Sequence, residues 1–361
     1  MNTIFETINS CRACNSSDIS EVMNLGSQPP ANSLYQINQI RPQSVPLRLM
    51  YCEECSTVQL GEDVDPEYLF EKRVWRLRRQ GPDEYELSQA VDTLLAAKKP
   101  VIVAGGGVRY SMAETQLQVF AKRHQIPVIE TQAGKSSMLA SDPLNAGAVG
   151  VTGVDSANDL AANADVVLAV GTRLQDFISG SNTLFTGQVI QLNVQPMDAI
   201  KFRAQSLLSD AKLGLELLSS KLGSYVSPSA WQQTSHKGIC AWAKICADIL
   251  PAADDKAIPS DAQVIAAVNA SVDDNAVVVA AAGSLPAELH KHWRAQQVGG
   301  YHLEYGYSCM GYEICGGVGA KLACPEREVV VMVGDGSYMM MNSDIATAVS
   351  MGLQLTIVVL D

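Results

Sequence analysis

The sequence predicts an α/β protein with a doubly wound parallel-sheet middle domain and a second α/β domain at its C-terminal end, preceded by a small four-cysteine module. Three observations predict this. Continuous apolar runs alternate with amphipathic helical patterns from residue 84 onward, glycine-rich turns follow several of these runs, and two Cys-x-x-Cys pairs lie near the start. Buried parallel strands are typically continuous apolar runs, joined by helical crossovers.

Composition excludes several classes of protein. The 361 residues include 26 basic and 38 acidic side chains, which give a formal net charge of −12. Apolar residues make up 47% of the sequence. Duplex-binding surfaces normally show a basic excess, so we expect no nucleic-acid partner. No apolar run approaches about 18 residues, and the first residues lack a signal peptide's basic and apolar regions. We therefore expect no membrane partner and a cytoplasmic location.

Four of the nine cysteines form two Cys-x-x-Cys pairs, Cys11 with Cys14 and Cys52 with Cys55. Two such pairs complete a closed tetrahedral zinc site, which is structural because no coordination position stays open for a substrate. We predict these four cysteines as zinc ligands. Four unrelated reduced thiols remain an alternative, as does a redox pair, although no βαβ pattern surrounds either pair.

Residues 11 to about 72, including the segment LGSQPPAN at 25–32, resemble the zinc-binding module at the start of sugar C-methyltransferases. In that family a methyltransferase domain follows. Here no glycine-rich turn of the methyl-donor type precedes the next domain, so we do not carry the methyltransferase activity over. We predict the module over 1–72 and interpret the basic run KRVWRLRR as part of a solvated linker over 73–83.

The middle domain is predicted over 84–224. Helical patterns at 85–99, 113–124, 155–163 and 208–222 alternate with apolar strands at 101–108, 127–132, 166–172 and 189–194. The first strand runs into a triple glycine at 105–107 that does not fit the dinucleotide motif. The nearest acidic candidate for a ribose contact, Glu130, lies inside a strand. We interpret these glycines as a tight turn, with a nucleotide site as the alternative.

A segment rich in Ser, Pro and Gln at 224–235 is predicted as a linker to the C-terminal domain at 236–361. Its apolar strand at 328–337 ends in Gly334, Asp335, Gly336 and Ser337. Glycines let a backbone approach phosphate, and Ser337 opens a helix whose N–H groups can face it. Asp335 offers a hard oxygen ligand suited to Mg²⁺. Asp-Gly is also common in ordinary turns, so the motif needs its context.

That context resembles the thiamine diphosphate (ThDP) enzymes, in which Gly-Asp-Gly opens the cofactor-binding segment matched here by 334–361. SCMG at 308–311, followed by further glycines, resembles the start of their cofactor-cradling helix. The resemblance implies ThDP and Mg²⁺ as cofactors and Asp335 as the Mg²⁺ ligand. It places Met310 as the residue that holds ThDP in a V shape, with core packing as the alternative, and Gly334, Gly336 and Ser337 at the cofactor.

Four segments narrow the resemblance to the trihydroxycyclohexane-dione hydrolases of myo-inositol catabolism: FEKRVWRLRR, GGGVRYS, YHLEYGYSCMGYE and GDGSYMMMNSDIATAVSMG. It covers residues from about 70 to 361. It implies hydrolysis of a C–C bond in a cyclic diketone, a small-molecule partner, and a homodimer or homotetramer. It also places His302, Glu304 and Tyr305 near the cofactor or substrate, with surface-loop and core roles as their alternatives.

Two departures from that family are expected to matter. The family continues past Asp361 with an Asn that completes the Mg²⁺ site, and it begins with a pyrimidine-binding domain whose Glu activates the cofactor. The catalytic residues are therefore unknown, and we expect a truncated chimera, joined near 69–72 by recombination or faulty sequence assembly and inactive alone. Two alternatives remain, a zinc-binding interaction module on an α/β scaffold and a ThDP enzyme of the acetolactate synthase type.

Overall fold

The computed structural model describes residues 4–29, 43–65, 81–249 and 258–361. The chain divides into two compact units, Met1–Arg78 and Arg79–Asp361. The basic run at 72–79, the junction at 69–72, most of the linker at 73–83 and the end of the segment at 25–32 lie outside the described residues. The predicted domain bounds stay predictions.

The first unit is built from antiparallel strands. These are β1 (Phe5–Thr7), β2 (Ile19–Gln28), β3 (Val45–Cys52), β4 (Val58–Leu60) and β5 (Glu62–Val64). β3 lies between β2 and β4, and β1 pairs with β5. Arg48 on β3 donates from Nε to the buried carboxylate of Glu62 at 2.7 Å. This ion pair ties the two small sheets of the unit together.

The second unit begins with a six-stranded parallel sheet, which confirms the predicted doubly wound architecture. Its elements are, in chain order, α1 (Glu84–Ala96), β6 (Pro100–Ala104), α2 (Gly106–Tyr110), α3 (Glu114–His124), β7 (Val128–Glu130), β8 (Asn145–Ala148), α4 (Asp155–Asn163), β9 (Val166–Val170), α5 (Asp176–Ser179), β10 (Gln188–Asn193), α6 (Pro196–Ala199), β11 (Gln205–Leu208) and α7 (Ala211–Leu222). The strand order is β11-β10-β9-β6-β7-β8. Counted from the β8 edge, it is the 3-2-1-4-5-6 order of doubly wound folds.

Each face of this sheet is covered by apolar residues of helices. Residues of α1, α3 and α7 pack on one face, and residues of α4 with Trp231 pack on the other. Asp83 and Asp210 begin α1 and α7 by accepting hydrogen bonds from first-turn amides. The predicted helices of this domain are therefore present. β8 and β11 were not predicted, because each is only four residues long and lacks a continuous apolar run.

The triple glycine forms a tight turn between β6 and α2. A Cβ atom on Gly105 would lie 2.4 Å from the carbonyl oxygen of Gly171, and one on Gly107 would lie 2.6 Å from the Cα atom of Gly171. Gly107 N donates to that carbonyl oxygen at 2.9 Å. Doubly wound sheets usually bind ligands between the two strands where the order reverses, here β6 and β9. Because the two loops meet backbone to backbone there, the structure favours the tight turn over a nucleotide site.

A long helix, α8 (Ser229–Ile249), occupies part of the segment predicted as a linker at 224–235. Trp231 is buried in its first turn and donates from Nε1 to the Pro100 carbonyl oxygen at 2.8 Å. The Ser, Pro and Gln content predicted a loop here. That prediction is wrong from residue 229 onward, because composition does not reveal the buried contact of Trp231 that anchors the helix. No helix within the described ranges combines the length and apolar character needed to cross a membrane.

The C-terminal part of the second unit is a four-stranded parallel sheet with the order β13-β12-β14-β15. Its elements are α9 (Asp261–Ser271), β12 (Val277–Ala280), α10 (Leu285–His292), β13 (Tyr301–Leu303), α11 (Tyr312–Ala323), β14 (Val329–Gly334), α12 (Asp335–Met341), α13 (Asp344–Ser350) and β15 (Thr356–Leu360). The strand order reverses between β12 and β14. This switch point is the preferred ligand position of such a sheet, at the carboxyl ends of the strands.

Buried polar groups join the six-stranded sheet to α10 and β13. His290 Nε2 lies 3.0 Å from the Glu130 carbonyl oxygen, and Tyr301 donates from its hydroxyl to Gln132 Oε1 at 2.8 Å. Burial lowers the pKa of Lys135 to about 8, and its ammonium lies over the Tyr301 ring. The loop that follows β7 is therefore held against the C-terminal part by specific polar contacts.

The contact between Gly105 and Gly171 predicts a large effect of a single methyl group. We expect Gly105→Ala to lower the free energy of unfolding by about 1–3 kcal/mol, because the new Cβ atom overlaps a backbone oxygen. Gly319→Ala in α11 is the matched control, since its Cβ atom would meet nothing within 4 Å. Thermal unfolding of the two variants measures the difference, and equal midpoints would contradict the close approach.

Candidate functional site

The four predicted zinc ligands lie together in the first unit. The Sγ atoms of Cys11, Cys14, Cys52 and Cys55 all lie within 4.8 Å of one another. Cys11 Sγ is 3.5 Å from Cys55 Sγ, and Cys14 Sγ is 3.6 Å from Cys52 Sγ. A tetrahedral zinc ion with Zn–S bonds of about 2.3 Å places its sulfurs about 3.8 Å apart. The four thiols therefore fit a structural zinc site.

The two cysteine pairs sit on matching turns. Asn15 N donates to the Cys11 carbonyl oxygen, and Ser56 N donates to the Cys52 carbonyl oxygen, each at 2.9 Å. Asn15 and Ser56 both have φ near +61°, which closes each turn after its second cysteine. The same local geometry thus presents both pairs to one point.

The thiols differ in their tendency to ionise. The hydrogen bond between Cys55 Sγ and Thr57 Oγ1, 3.2 Å long, is the main cause that lowers the pKa of Cys55 to about 6. For Cys14, a backbone hydrogen bond at Ser16 lowers the pKa, but the neighbouring thiols and burial outweigh it and raise the pKa to about 12. Thiolates this close repel one another, so a bound cation is what allows all four to ionise.

A second candidate site lies at the switch point of the four-stranded sheet. Gly334 ends β14, and Asp335 and Gly336 follow on the exposed side of the carboxyl edge. Among the described residues, the Asp335 carboxylate has no hydrogen-bond or ion-pair partner. A Cβ atom on Gly334 would meet nothing within 4 Å. The loop thus offers a free oxygen ligand beside open space, which fits a metal ion carrying a diphosphate.

Met310 and Gly311 face this loop from the turn before α11. The Met310 Cε atom lies 3.6 Å from the position of a Cβ atom on Gly336. Gly311 has φ of +91°, and a Cβ atom there would lie 2.7 Å from Met341 Cγ, so the turn requires glycine. The structure thus brings the predicted residues Met310, Gly336 and Asp335 to one edge of the sheet.

The helix predicted to open at Ser337 begins at Asp335 instead, and the Ser337 side chain makes its contacts inside the protein. Its hydroxyl is buried, accepts a hydrogen bond from Gly311 N at 2.7 Å and donates to Glu313 Oε2 at 2.7 Å. The hydroxyl is therefore committed to the protein interior. The prediction that Ser337 contributes to cofactor binding concerns its backbone N–H group.

His302, Glu304 and Tyr305 lie at the carboxyl end of β13 and just beyond it. Glu304 N donates to the Ala280 carbonyl oxygen at 3.3 Å, which places this loop beside the end of β12. His302 Nε2 is 2.6 Å from the Tyr312 hydroxyl. Tyr305 is half-buried. All three residues therefore lie on the same edge of the sheet as Asp335.

The carboxylate of Glu304 orders the loop that leads to Met310. Burial by itself would raise the pKa of Glu304, but hydrogen bonds from Cys309 N at 2.8 Å and Tyr307 N at 3.1 Å outweigh it and lower the pKa. The Glu304 carboxylate therefore stays ionised, and its oxygens accept hydrogen bonds from backbone N–H groups. These contacts favour a role in loop structure over proton transfer.

Glu313, in the first turn of α11, was missed by the sequence predictions. It is 1% exposed and bonded to Gly311 and Ser337, at the centre of the candidate site. A signal was present, because Glu313 is the one acidic residue in the apolar and glycine-rich stretch 308–320. A carboxylate on the buried face of a helix needs partners, and it marks a polar site.

The comparison with known protein families defines the class of these domains. Residues 87–218 match "Thiamine pyrophosphate enzyme, central domain", and residues 281–361 match "Thiamine pyrophosphate enzyme, C-terminal TPP binding domain". Residues 11–70 match "Putative zinc binding domain". Thiamine pyrophosphate is another name for ThDP. The chain therefore matches the central and C-terminal domains of ThDP enzymes and, before them, a domain family described as putatively zinc-binding, which confirms the resemblances to ThDP enzymes and to the zinc-binding module.

Among curated proteins, the chain is similar to enzymes named 3D-(3,5/4)-trihydroxycyclohexane-1,2-dione hydrolase. It is 40% identical to that of Geobacillus thermodenitrificans over 334 residues, covering 84% of this chain and 52% of the relative. It is 39% identical to that of Clostridium perfringens, covering 83% of this chain and 51% of the relative. It is 37% identical to that of Bacillus cereus, covering 84% of this chain and 52% of the relative. The chain thus spans about half the length of these relatives.

The cysteine cluster predicts zinc binding that depends on every thiol. We expect Cys14→Ser to weaken zinc affinity at least about 100-fold, because three thiolates cannot close the tetrahedral site. Cys240→Ser is the matched control, since Cys240 is equally an exposed free thiol and lies outside the cluster. Metal analysis after dialysis against a zinc buffer measures the difference, and equal zinc contents would contradict the assignment.

Proposed function

We propose that the second unit is the metal- and diphosphate-binding part of a ThDP- and Mg²⁺-dependent hydrolase that acts on C–C bonds. The single observation that carries this proposal is the Asp335 carboxylate at the switch point between β12 and β14, which has no hydrogen-bond or ion-pair partner among the described residues. The match of residues 281–361 to a TPP binding domain supports it. The 40% identity to a trihydroxycyclohexane-1,2-dione hydrolase supports a cyclic dione as the substrate class.

Each residue of the site has a proposed task. Asp335 would hold Mg²⁺ through its carboxylate, and the glycines at 334 and 336 would leave room for phosphate oxygens. Met310 would contact the cofactor above Gly336. When bound at these residues, ThDP would supply the carbanion chemistry needed to break a C–C bond next to a carbonyl group. The residues of this edge would orient the cofactor, and the exposed Met310 side chain would offer it an apolar contact.

The substrate side of the site is proposed to lie along the loop after β13. His302 and Tyr312 share a short hydrogen bond, and Tyr305 lies half-buried three residues further on, so this loop presents hydroxyl and imidazole groups. Such groups suit the hydroxyls and carbonyls of a polyhydroxylated ring. We propose that His302 and Tyr305 contact the dione, while Glu304 holds their loop in place.

An exposed apolar surface supports the proposal that the working protein is a homo-oligomer. Met339, Met340 and Met341 of α12 and Val349 of α13 are all exposed, with Val349 at 73% of its full accessibility. The three methionines lie in the helix that begins at Asp335. Large exposed apolar patches are typical of protein interfaces, so we propose that a second copy covers this edge. We also propose that the protein is located in the cytoplasm.

The zinc-binding unit carries a second candidate function. Its closed four-thiol site fits a structural zinc ion, and nothing in that geometry offers a catalytic position. We propose that the first unit is a zinc-stabilised interaction module. Stoichiometric zinc in a chain with no measurable ThDP affinity would favour this function for the whole protein. Consumption of pyruvate in preference to the cyclic dione would instead favour an enzyme of the acetolactate synthase type.

The proposed metal ligand predicts a specific loss of cofactor binding. We expect Asp335→Asn to weaken Mg²⁺-dependent ThDP binding at least about 100-fold, because the neutral amide is a poor Mg²⁺ ligand beside a diphosphate. Isothermal titration calorimetry with Mg²⁺, and with EDTA as the metal-free reference, measures the affinity. The matched control is Asp274→Asn, an exposed position on the loop before β12. Unchanged affinity in Asp335→Asn would contradict the proposed function.

A further inference from the structure

The three connections around the switch point converge on one buried carboxylate, that of Glu313. Its Oε2 atom accepts from Gly311 N at 3.0 Å and from the Ser337 hydroxyl at 2.7 Å. Its Oε1 atom lies 3.4 Å from Ala282 N. Ala282 follows β12, Gly311 precedes α11, and Ser337 lies in the helix that follows β14. One side chain therefore links three separate segments.

The donors and acceptors in this cluster are fully determined. Gly311 N and Ala282 N can only donate, and Gly311 N also donates to Ser337 Oγ at 2.7 Å. The Ser337 proton therefore points to Glu313, and the glutamate side chain must accept from every direction. A carboxylate satisfies this requirement, whereas an amide would place its N–H group against other donors. The pattern thus calls for Glu specifically, and Gln would break it.

The cluster also decides where Met310 lies. Gly311 is held by Glu313 on one side, and on the other it has no room for a side chain beside Met341. Met310 is the adjoining residue, and its Cε atom reaches the space above Gly336. The Asp335 loop is held separately, because Gly334 ends β14 and pairs with Leu360 of β15, and Asp335 begins α12. The distance between Met310 and the Asp335 loop therefore depends on Glu313.

We propose that Glu313 is a positioning residue that sets Met310 against the Asp335 loop and so shapes the pocket for the organic part of a diphosphate cofactor. This inference rests on the proposed function. It assigns Glu313 no contact with the cofactor, because the side chain is buried beneath the turn. Asp335 holds the metal and diphosphate, and Glu313 places the apolar residue that faces the rings.

Because the two roles are separate, Glu313 should affect the binding of two diphosphate-containing ligands differently. Inorganic pyrophosphate with Mg²⁺ needs only the Asp335 loop, whereas ThDP also needs Met310 in place. If Glu313 had a merely structural role, its substitution would weaken the binding of both ligands together or of neither. The ratio of the two affinities is therefore the readout that reports positioning.

The experiment compares the full-length chain with its Glu313→Gln variant, using Mg²⁺ with ThDP and Mg²⁺ with pyrophosphate in calorimetric titrations. We expect ThDP binding to weaken at least about tenfold, since a charge-assisted hydrogen bond is lost, and pyrophosphate binding to change by less than about threefold. Glu326→Gln, an exposed position after α11, is the matched control and should change neither affinity. Glu313→Asp keeps the charge and should retain more ThDP affinity than Glu313→Gln.

Equal losses for both ligands, or no loss for either, would overturn the inference while leaving the proposed function in place. Failure of the unaltered chain to bind either ligand would instead overturn the proposed function. If Glu313→Gln does not fold, Ser337→Ala serves as the second variant, because it removes only one hydroxyl from the cluster. It should give the same selective loss of ThDP affinity, and an unselective loss or none would overturn the inference.

Discussion

The hydrogen-bonded cluster of Glu313, Ser337 and Gly311 is the interaction on which the candidate site depends. It crosses the switch point of the four-stranded sheet, where the strand order leaves an opening between the ends of β12 and β14. Parallel strands place their connecting loops at one edge but do not fix those loops against one another. Here a single buried carboxylate does so. Asp335, whose carboxylate has no partner in the part of the chain that the structure describes, and the exposed Met310 then lie at an ordered edge of the sheet.

The two units are stabilised by different means. The second unit has continuous apolar cores on both faces of its sheets, built largely from valine, leucine, isoleucine and alanine. Among its described residues, the first unit has few buried apolar side chains, and it holds the four-cysteine cluster and the Arg48–Glu62 ion pair. Small units of this kind commonly need a metal to fold. Zinc binding and diphosphate binding are therefore expected to be separable properties.

Much of the fold could be predicted from the sequence because the middle domain follows simple rules. β6 and β9 are continuous apolar runs, and α1 has the apolar spacing of a helix that covers a sheet. The cysteine pairs were equally readable, since their spacing carries the chemistry. The elements that were missed depend on single tertiary contacts. Trp231 anchors a helix in a segment that reads as a linker, and Glu313 has a role visible only once three distant segments meet.

The most direct test of this account is a crystal structure of the chain grown with Mg²⁺ and ThDP. In these crystals we expect a metal ion bound by the Asp335 carboxylate, diphosphate oxygens against residues 334–336, and the Met310 side chain against the rings of the cofactor. We also expect Glu313 to keep its hydrogen bonds to Gly311 and Ser337. A diphosphate bound elsewhere, or a metal ion that Asp335 does not contact, would contradict the account.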